Sequence, residues 1–235
     1  GADWKERWGH EMRRLNGAYA LAVITPDAMM MARDPMGNRP LCLGKLDGGW
    51  VAASESCAFD HLGATFIREI EPGEVIYIDA EGLQSMKPLE EQPHAFCVFE
   101  YIYFARPDSV LGGKLVYPVR LNLGRQLAKE HPAPNADVVI GVPDSATAAA
   151  IGYSQASGIP FVEGLVKNRY VGRTFIQPDQ RLREIGVHLK FNPLREVLQD
   201  RSIVLVDDSI VRGTTTTGVI QMLKRAGARE VHMRV

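Results

Sequence analysis

The stretch Arg201 to Gly218, RSIVLVDDSIVRGTTTTG, constrains this chain more than any other. Ile203 to Val206 is an unbroken apolar, mostly β-branched run, which predicts a strand buried on both faces. Asp207 and Asp208 follow directly, then Ser209 to Gly213, then a run of threonines, Thr214 to Thr217, closed by Gly218. Val219, Ile220, Met222 and Leu223 fall at helical spacing, and Gly227 stops the helix. Strand, acidic turn, hydroxyl-rich loop and helix put the loop outside the carboxyl end of a strand, where open α/β sheets hold ligands.

The chemistry of that loop fits a sugar phosphate. A helix N-terminus offers free N–H groups and the positive end of a dipole, so it attracts phosphate. Thr214, Thr215, Thr216 and Thr217 add hydroxyl donors, and Gly218 lets the backbone close around an anion. Asp207 and Asp208 can hold ribose hydroxyls or a hydrated magnesium ion, which prefers oxygen ligands. The plainer reading is a strand end with an acidic turn and a threonine N-cap. A second strand-turn-helix lies upstream: Asp137 to Val142, then Pro143-Asp144-Ser145-Ala146, then a small-residue helix from Ala148 to Ala156. Asp144 and Ser145 either cap that helix or face the same ligand. Phe161 to Val166 predicts a third strand and Val231 to Val235 a last one. Strands near 137–142, 161–166, 203–206 and 231–235, joined by helices, predict a doubly wound parallel α/β sheet. Lys167, Arg169 and Arg173 form a basic group with Tyr170 in an otherwise neutral chain, which suits an anionic ligand or a solvated surface.

VLVDDSIVRGTT resembles the phosphoribosyl pyrophosphate (PRPP) motif of the type I phosphoribosyltransferases. Its SIVRGTT wording, with CVFEYIYFARPDS at 97–109 and KNRYVGRTFI at 167–176, resembles the glutamine PRPP amidotransferase family. That family transfers glutamine-derived ammonia to C1 of PRPP, making 5-phosphoribosylamine, glutamate and pyrophosphate, in de novo purine synthesis. The resemblance implies that Asp207 and Asp208 bind ribose hydroxyls and Mg2+, with Ser145 also contacting the metal. It implies that Thr214, Thr215, Thr216, Thr217 and Gly218 bind the 5-phosphate, and that Asp144, Ser145 and Ala146 line the pyrophosphate side. Lys167, Arg169, Tyr170 and Arg173 would form a closing loop over PRPP, with Lys167, Tyr170 and Arg173 in the catalytic role. Purine nucleotides are implied as feedback inhibitors, and a homo-oligomer is expected. The alternatives are a purine or pyrimidine salvage transferase and a non-catalytic PRPP or nucleotide sensor of the same fold.

The amino-terminal part reads as α+β. Asp3 to Leu15 predicts a helix with Trp4, Trp8, Met12 and Leu15 on one face. Short strand-like runs at 18–25, 29–32, 41–45, 50–53 and 74–79, with one helix near 56–62, predict a meander of antiparallel strands. GAYALAV, ARDPMGNRPLCLG, VAASESCAF and REIEPGE resemble the second half of the family's glutaminase domain, an N-terminal-nucleophile hydrolase fold. Residues 1–89 are assigned to it, 94–235 to the phosphoribosyltransferase domain, and the polar Lys87 to Pro93 stretch to the linker. The family's nucleophile is an N-terminal cysteine whose own amine is the base, whereas residue 1 here is Gly1. The chain therefore reads as an internal piece, expected to lack glutaminase activity by itself. Cys42 and Cys57 read as buried hydrophobes. The aromatic run Ala95 to Phe104 is expected to pack in a core. In many family members the cysteine matching Cys97 ligates a [4Fe–4S] cluster with three cysteines expected beyond Val235; others keep it without a cluster.

Composition excludes other classes. Lys+Arg 27 against Asp+Glu 28 leaves a net charge of −1, so no nucleic-acid footprint is implied. No apolar run reaches membrane-spanning length. Three cysteines without a CxxC spacing suggest reduced thiols in a cytoplasmic protein.

Overall fold

The computed structural model describes residues 4–88, 90, 92–168, 170, 189–211 and 213–235. The chain divides into two compact units, Gly1–Val116 and Tyr117–Val235.

The first unit opens with helix α1 (Trp4–Met12). Strands β1 (Ala20–Ile24), β2 (Met29–Arg33), β3 (Cys42–Leu46) and β4 (Gly49–Ala53) follow, then helix α2 (Cys57–Leu62) and strands β5 (Thr65–Glu69), β6 (Val75–Asp79) and β7 (Gly82–Met86). They are not one meander. One antiparallel sheet has the order β1-β2-β6-β7 and a second the order β4-β3-β5. Met31, Ile76 and Ile78 of the first sheet pack with Leu43 of the second and with Leu41 and Ile70 at its strand ends. That shared apolar layer explains why β2 pairs with β6 across the β3–β5 excursion. β5 and β7 escape the sequence reading because TFIRE and GLQSM carry too few apolar residues to announce a strand. Met12 packs on Ala32 and Val75 with Trp8 beside them. Trp4 and Leu15 are exposed, so only the middle of the expected apolar face is used.

Past the polar stretch the chain stays with the first unit. Ala95 N–H donates to the Met36 carbonyl (2.8 Å), and Glu55 accepts from Arg106 N–H (2.8 Å) and Ser109 Oγ (2.7 Å). The contact division accordingly falls after residue 116, later than the polar 87–93 stretch suggests. Glu100–Phe104 form one π-helical turn. Its side chains radiate rather than share one face. Phe96 and Tyr101 pack with Ala105, Leu111 and Val116, but Val98, Phe99, Tyr103 and Phe104 are exposed. The expectation that the whole aromatic run lies in a core is therefore corrected. A two-residue hairpin, β8 (Val110–Leu111) with β9 (Lys114–Leu115), closes the unit.

The second unit contains α3 (Val116–Glu130), β10 (Val138–Gly141), α4 (Thr147–Ser157), β11 (Leu165–Lys167), β12 (Phe191–Pro193), α5 (Arg195–Leu198), β13 (Ser202–Val206), α6 (Thr214–Arg225) and β14 (Glu230–Arg234). Its centre is a parallel sheet of order β10-β13-β14, with Val139 opposite Val204 and Val204 opposite His232. All five β13 residues are buried, as a central strand covered on both faces requires. This is the doubly wound α/β sheet of the sequence reading, with one correction. Phe161 alone bridges β10 in parallel. Glu163-Gly164 interrupts the run, and Leu165–Lys167 instead pairs antiparallel with Phe191–Pro193.

Helical spacing predicts Val119, Leu123, Leu127 and Ala128 as one apolar face of α3, but Leu123 is exposed and Gly124 is buried. The reason lies in a helix–helix contact. A Cβ on Gly124 would fall 1.8 Å from the Ala149 carbonyl oxygen, and one on Gly152 would fall 2.0 Å from that of Leu121. Two glycines thus let the α3 and α4 backbones touch. A hydrophobicity pattern does not register a glycine as a packing residue.

Candidate functional site

β13 delivers Asp207 and Asp208 to the carboxyl edge of the sheet. Val142 N–H donates to the Val206 carbonyl (2.9 Å) and Asp207 N–H to the Arg234 carbonyl (3.0 Å), so the strand end is held from both sides. Asp208 N–H donates to Asp207 Oδ1 (2.9 Å), and Ser209 Oγ donates to Asp208 Oδ1 (2.5 Å). Burial, then the Asp208 charge, push the Asp207 carboxyl up from 3.8 to about 7, against the Asp208 N–H and the Lys190 ammonium. Among the described residues neither carboxylate has a direct ion-pair partner, and a hard cation would supply one.

The chain then reaches Gly213, whose φ of +74° sits in the left-handed region that glycine tolerates. Gly213 is the N-cap of α6 and carries no side-chain cap, while Thr217 N–H closes the first helical turn onto the Gly213 carbonyl (2.8 Å). The preceding N–H groups of this turn have no intrahelical acceptor. Thr215 and Thr217 are exposed, Thr216 and Gly218 half-buried, so the hydroxyl-rich turn faces outward as a phosphate cradle requires. The side chain of Thr214 lies outside what the structure describes.

The end of β10 lies next to that of β13, and it turns through Pro143-Asp144-Ser145-Ala146 into α4. No side chain caps α4, so the capping role considered for Asp144 and Ser145 is not the one they take. Asp144 is exposed and Ser145 half-buried. Ala146 is buried in the core and its N–H bonds the Val142 carbonyl (3.2 Å). Lys167, at the end of β11, donates from Nζ to Asp144 Oδ2 at 2.5 Å. The structure therefore brings Asp144, Lys167, Asp207 and Asp208 together. It adds Lys190, which the sequence reading missed. Lys190 lies within electrostatic range of all four, and burial, then Lys167, lower its pKa while Asp207, Asp208 and Asp144 raise it. No local signal marks it, since it stands in a polar stretch and reaches the site only through the β11–β12 pairing.

Tyr170 is fully exposed, and its N–H donates to Asn168 Oδ1 (3.0 Å). Arg169 and Arg173 lie outside the described residues. Cys42 and Cys57 are buried, as expected, and burial pushes the Cys42 thiol up to about 12. Cys97 is partly exposed, and among the described residues no three His, Cys, Asp or Glu side chains gather as a metal or cluster site. Among the described residues, no helix is long and apolar enough to cross a membrane.

Paired strand ends on a doubly wound sheet, one acidic and one leading into a small-residue helix, define a phosphoribosyltransferase domain, here joined to a second, antiparallel unit. Residues 120–235 match the phosphoribosyl transferase domain family, and residues 2–61 match the glutamine amidotransferase domain family. The amidophosphoribosyltransferase of Synechocystis sp. is 51% identical, over 100% of this chain and 48% of the relative, and that of Archaeoglobus fulgidus is 53% identical, over 95% and 50%. A solved structure of the allosteric regulatory enzyme of purine biosynthesis superposes with a TM-score of 0.90 at 50% identity, covering 100% of this chain and 50% of that one. Glutamine PRPP amidotransferase from B. subtilis, complexed with ADP and GMP, gives 0.89 at 50% identity, covering 99% and 51%. The chain belongs to the amidophosphoribosyltransferase family, and it spans about half the length of the curated relatives it matches.

Proposed function

We propose that this chain carries the PRPP-binding centre of an amidophosphoribosyltransferase, where ammonia derived from glutamine attacks C1 of PRPP. The C1–O bond to pyrophosphate breaks with its electron pair, a C1–N bond forms, and the products are 5-phosphoribosylamine, glutamate and pyrophosphate. The observation that carries the reading is the convergence of Asp207 and Asp208 with the Asp144–Lys167 pair beside the open N-terminus of α6, in a chain half identical to amidophosphoribosyltransferases.

In this reading Asp207 and Asp208 hold the ribose hydroxyls and, with Ser145, a magnesium ion; their desolvated, like-charged pairing suits a divalent cation. Magnesium supplies charge neutralisation of the pyrophosphate when bound. Residues 214–218 hold the 5-phosphate through backbone N–H groups and hydroxyls. Asp144, Ser145 and the backbone at Ala146 face the pyrophosphate. Lys167, Arg169, Tyr170 and Arg173 supply cations and contact to the departing group. Attack at C1 needs positioning and charge stabilisation more than acid or base help. Purine nucleotides are the expected inhibitors, a homo-oligomer the expected assembly and the cytoplasm the expected location. A [4Fe–4S] cluster through Cys97 would need three further thiolates brought to it.

The test is pyrophosphate release from PRPP with ammonia as the nitrogen donor. Asp208→Asn should lower kcat/KM by about 10-fold or more, as loss of a charge-assisted contact does. An unchanged rate would refute the assignment. Equal turnover with free purine bases in place of ammonia would favour the salvage reading.

A further inference from the structure

Residues 98–116, which carry the chain out of the first unit into α3, bond largely to themselves. Tyr101 N–H donates to the Val98 carbonyl (3.0 Å), Ala105 N–H to that of Glu100 (3.1 Å), Ser109 N–H to that of Arg106 (3.0 Å) and Val116 N–H to that of Ser109 (2.9 Å). β8 and β9 form a two-stranded sheet of their own. Tyr101 Oη donates to the Leu111 carbonyl (2.6 Å). Ala105, Leu111 and Val116 pack with Phe96 and Tyr101 in a cluster separate from the apolar layer between the two larger sheets. Side chains tie this segment to the rest of the unit. Glu55 Oε2, in the turn between β4 and α2, accepts from Arg106 N–H (2.8 Å) and from Oγ of the fully buried Ser109 (2.7 Å). Ser56 Oγ accepts from Val110 N–H (2.7 Å), and Glu69 Oε1 of β5 accepts from Gly112 N–H (2.5 Å). Arg39 Nη1 lies 3.1 Å from Glu100 Oε1, and Arg106 Nη1 lies 2.6 Å from His61 Nε2.

A self-bonded piece held by side chains can detach without breaking a sheet ladder or the core beneath it, and such pieces open locally at less cost than the whole fold. Two of the holding bonds end on one oxygen, Glu55 Oε2, so they are made and lost together. The segment also has space beside it. Val110 and Gly112 border a cavity of about 470 Å³ whose other walls include Phe66, Ile67, Pro72 and His94. We propose that residues 98–115 are a strap that opens from the first unit as one piece while both larger sheets stay folded, with Glu55 as its main latch. Opening widens the cavity beside β5 and loosens the stretch through which the chain passes into the second unit.

Amide hydrogen exchange of the full chain, read residue by residue by NMR, tests it. In the wild type the N–H groups of Arg106, Val110 and Gly112 should exchange with one common opening free energy, below that of the β2 and β6 amides. Glu55→Ala should speed exchange at all three by about 10- to 100-fold, as loss of a charged acceptor does, and leave β2 and β6 unchanged. Val110 and Gly112 carry the weight of this test, because their N–H groups bond Ser56 and Glu69 instead of Glu55. Glu55→Gln keeps an acceptor oxygen and should fall between Glu55→Ala and the wild type. Faster exchange at Arg106 alone, or at none of the three, would overturn the proposal. Equal acceleration at β2 and β6 would overturn it too, since that marks a residue supporting the whole unit. Should Glu55→Ala not fold, the wild type decides: strap amides that exchange only together with those of β2 and β6 would show that no separate opening exists.

Discussion

Asp207→Asn should stabilise the metal-free protein and, on the function proposed above, weaken its use of PRPP. The side chain is nearly isosteric, and Asn Oδ1 can still accept the Asp208 N–H that Asp207 accepts at 2.9 Å. What changes is the charge. The folded state raises the Asp207 carboxyl from 3.8 to about 7, chiefly through burial and then through Asp208. Each pKa unit is worth about 1.4 kcal/mol, so ionised Asp207 costs the folded state up to about 4 kcal/mol. Solvent and ion screening at a half-buried edge reduce this to about 2–3 kcal/mol. The sign follows from linkage. Between the unfolded and folded pKa values the folded chain binds more protons, so the wild type loses stability as pH rises from about 4 to about 7 and is flat above. Asp207→Asn lacks this loss. Its advantage should be near zero at about pH 4 and full at about pH 8. Urea titrations in chelator-treated buffer measure it. All the tryptophans, Trp4, Trp8 and Trp50, lie in the first unit, so fluorescence follows that unit while far-UV circular dichroism also reports the second. A variant less stable than the wild type at the higher pH, or a difference that ignores pH, would refute the claim that Asp207 is held in a charge-deficient site.

Two further outcomes concern the scaffold. Gly152→Ala should destabilise the second unit by about 3 kcal/mol or more, because its Cβ would meet the Leu121 carbonyl oxygen at 2.0 Å and the α3 and α4 backbones must part; circular dichroism in urea reads it, and a loss below about 0.5 kcal/mol would mean the helices already have room. Glu74→Gln should cost the first unit about 2 kcal/mol at neutral pH. Burial alone would raise the Glu74 carboxyl, but hydrogen bonds from Arg68 (2.7 and 2.6 Å), Ser85 Oγ (2.6 Å) and Glu71 N–H (2.8 Å) bring it below its ordinary value. That stabilisation is present above the unfolded pKa and fades as pH falls through the folded one, so tryptophan fluorescence should show the gap closing in acid.

How much of this was legible in the sequence depended on range. Ile203 to Val206 declared a central strand because both faces of such a strand are covered and no polar residue is tolerated. Asp207, Asp208 and the threonines declared a site because the relevant groups are neighbours in the chain. β5 and β7 were silent, since TFIRE and GLQSM are half polar and their strand state comes from sheet partners far away in sequence. Phe99, Tyr103 and Phe104 misled, because aromatic content says nothing about direction and a π-helical turn spreads side chains around its axis. Gly124 and Gly152 misled in the opposite sense, since the tightest helix contact is made by residues with no side chain. Lys190 was invisible for the plainest reason. Its role depends on the β11–β12 pairing, which no local pattern encodes.

That pairing also explains how one site combines stability and reactivity. Asp207 is unfavourable alone, being desolvated and facing Asp208, whereas the exposed Asp144 is paired with Lys167. The sheet can hold them because its own cohesion lies elsewhere, in the buried β10, β13 and β14 residues and in the α3–α4 glycine contact. The strand ends are therefore free to carry groups that destabilise the ligand-free fold. Binding a cation and a phosphate-bearing sugar would relieve the same charge imbalance that the folded chain tolerates. Affinity would then come in part from strain already present in the free protein. The site residues and the residues that hold the fold are then different sets, and the stabilisation from Asp207→Asn and the destabilisation from Gly152→Ala should sum in the metal-free double variant.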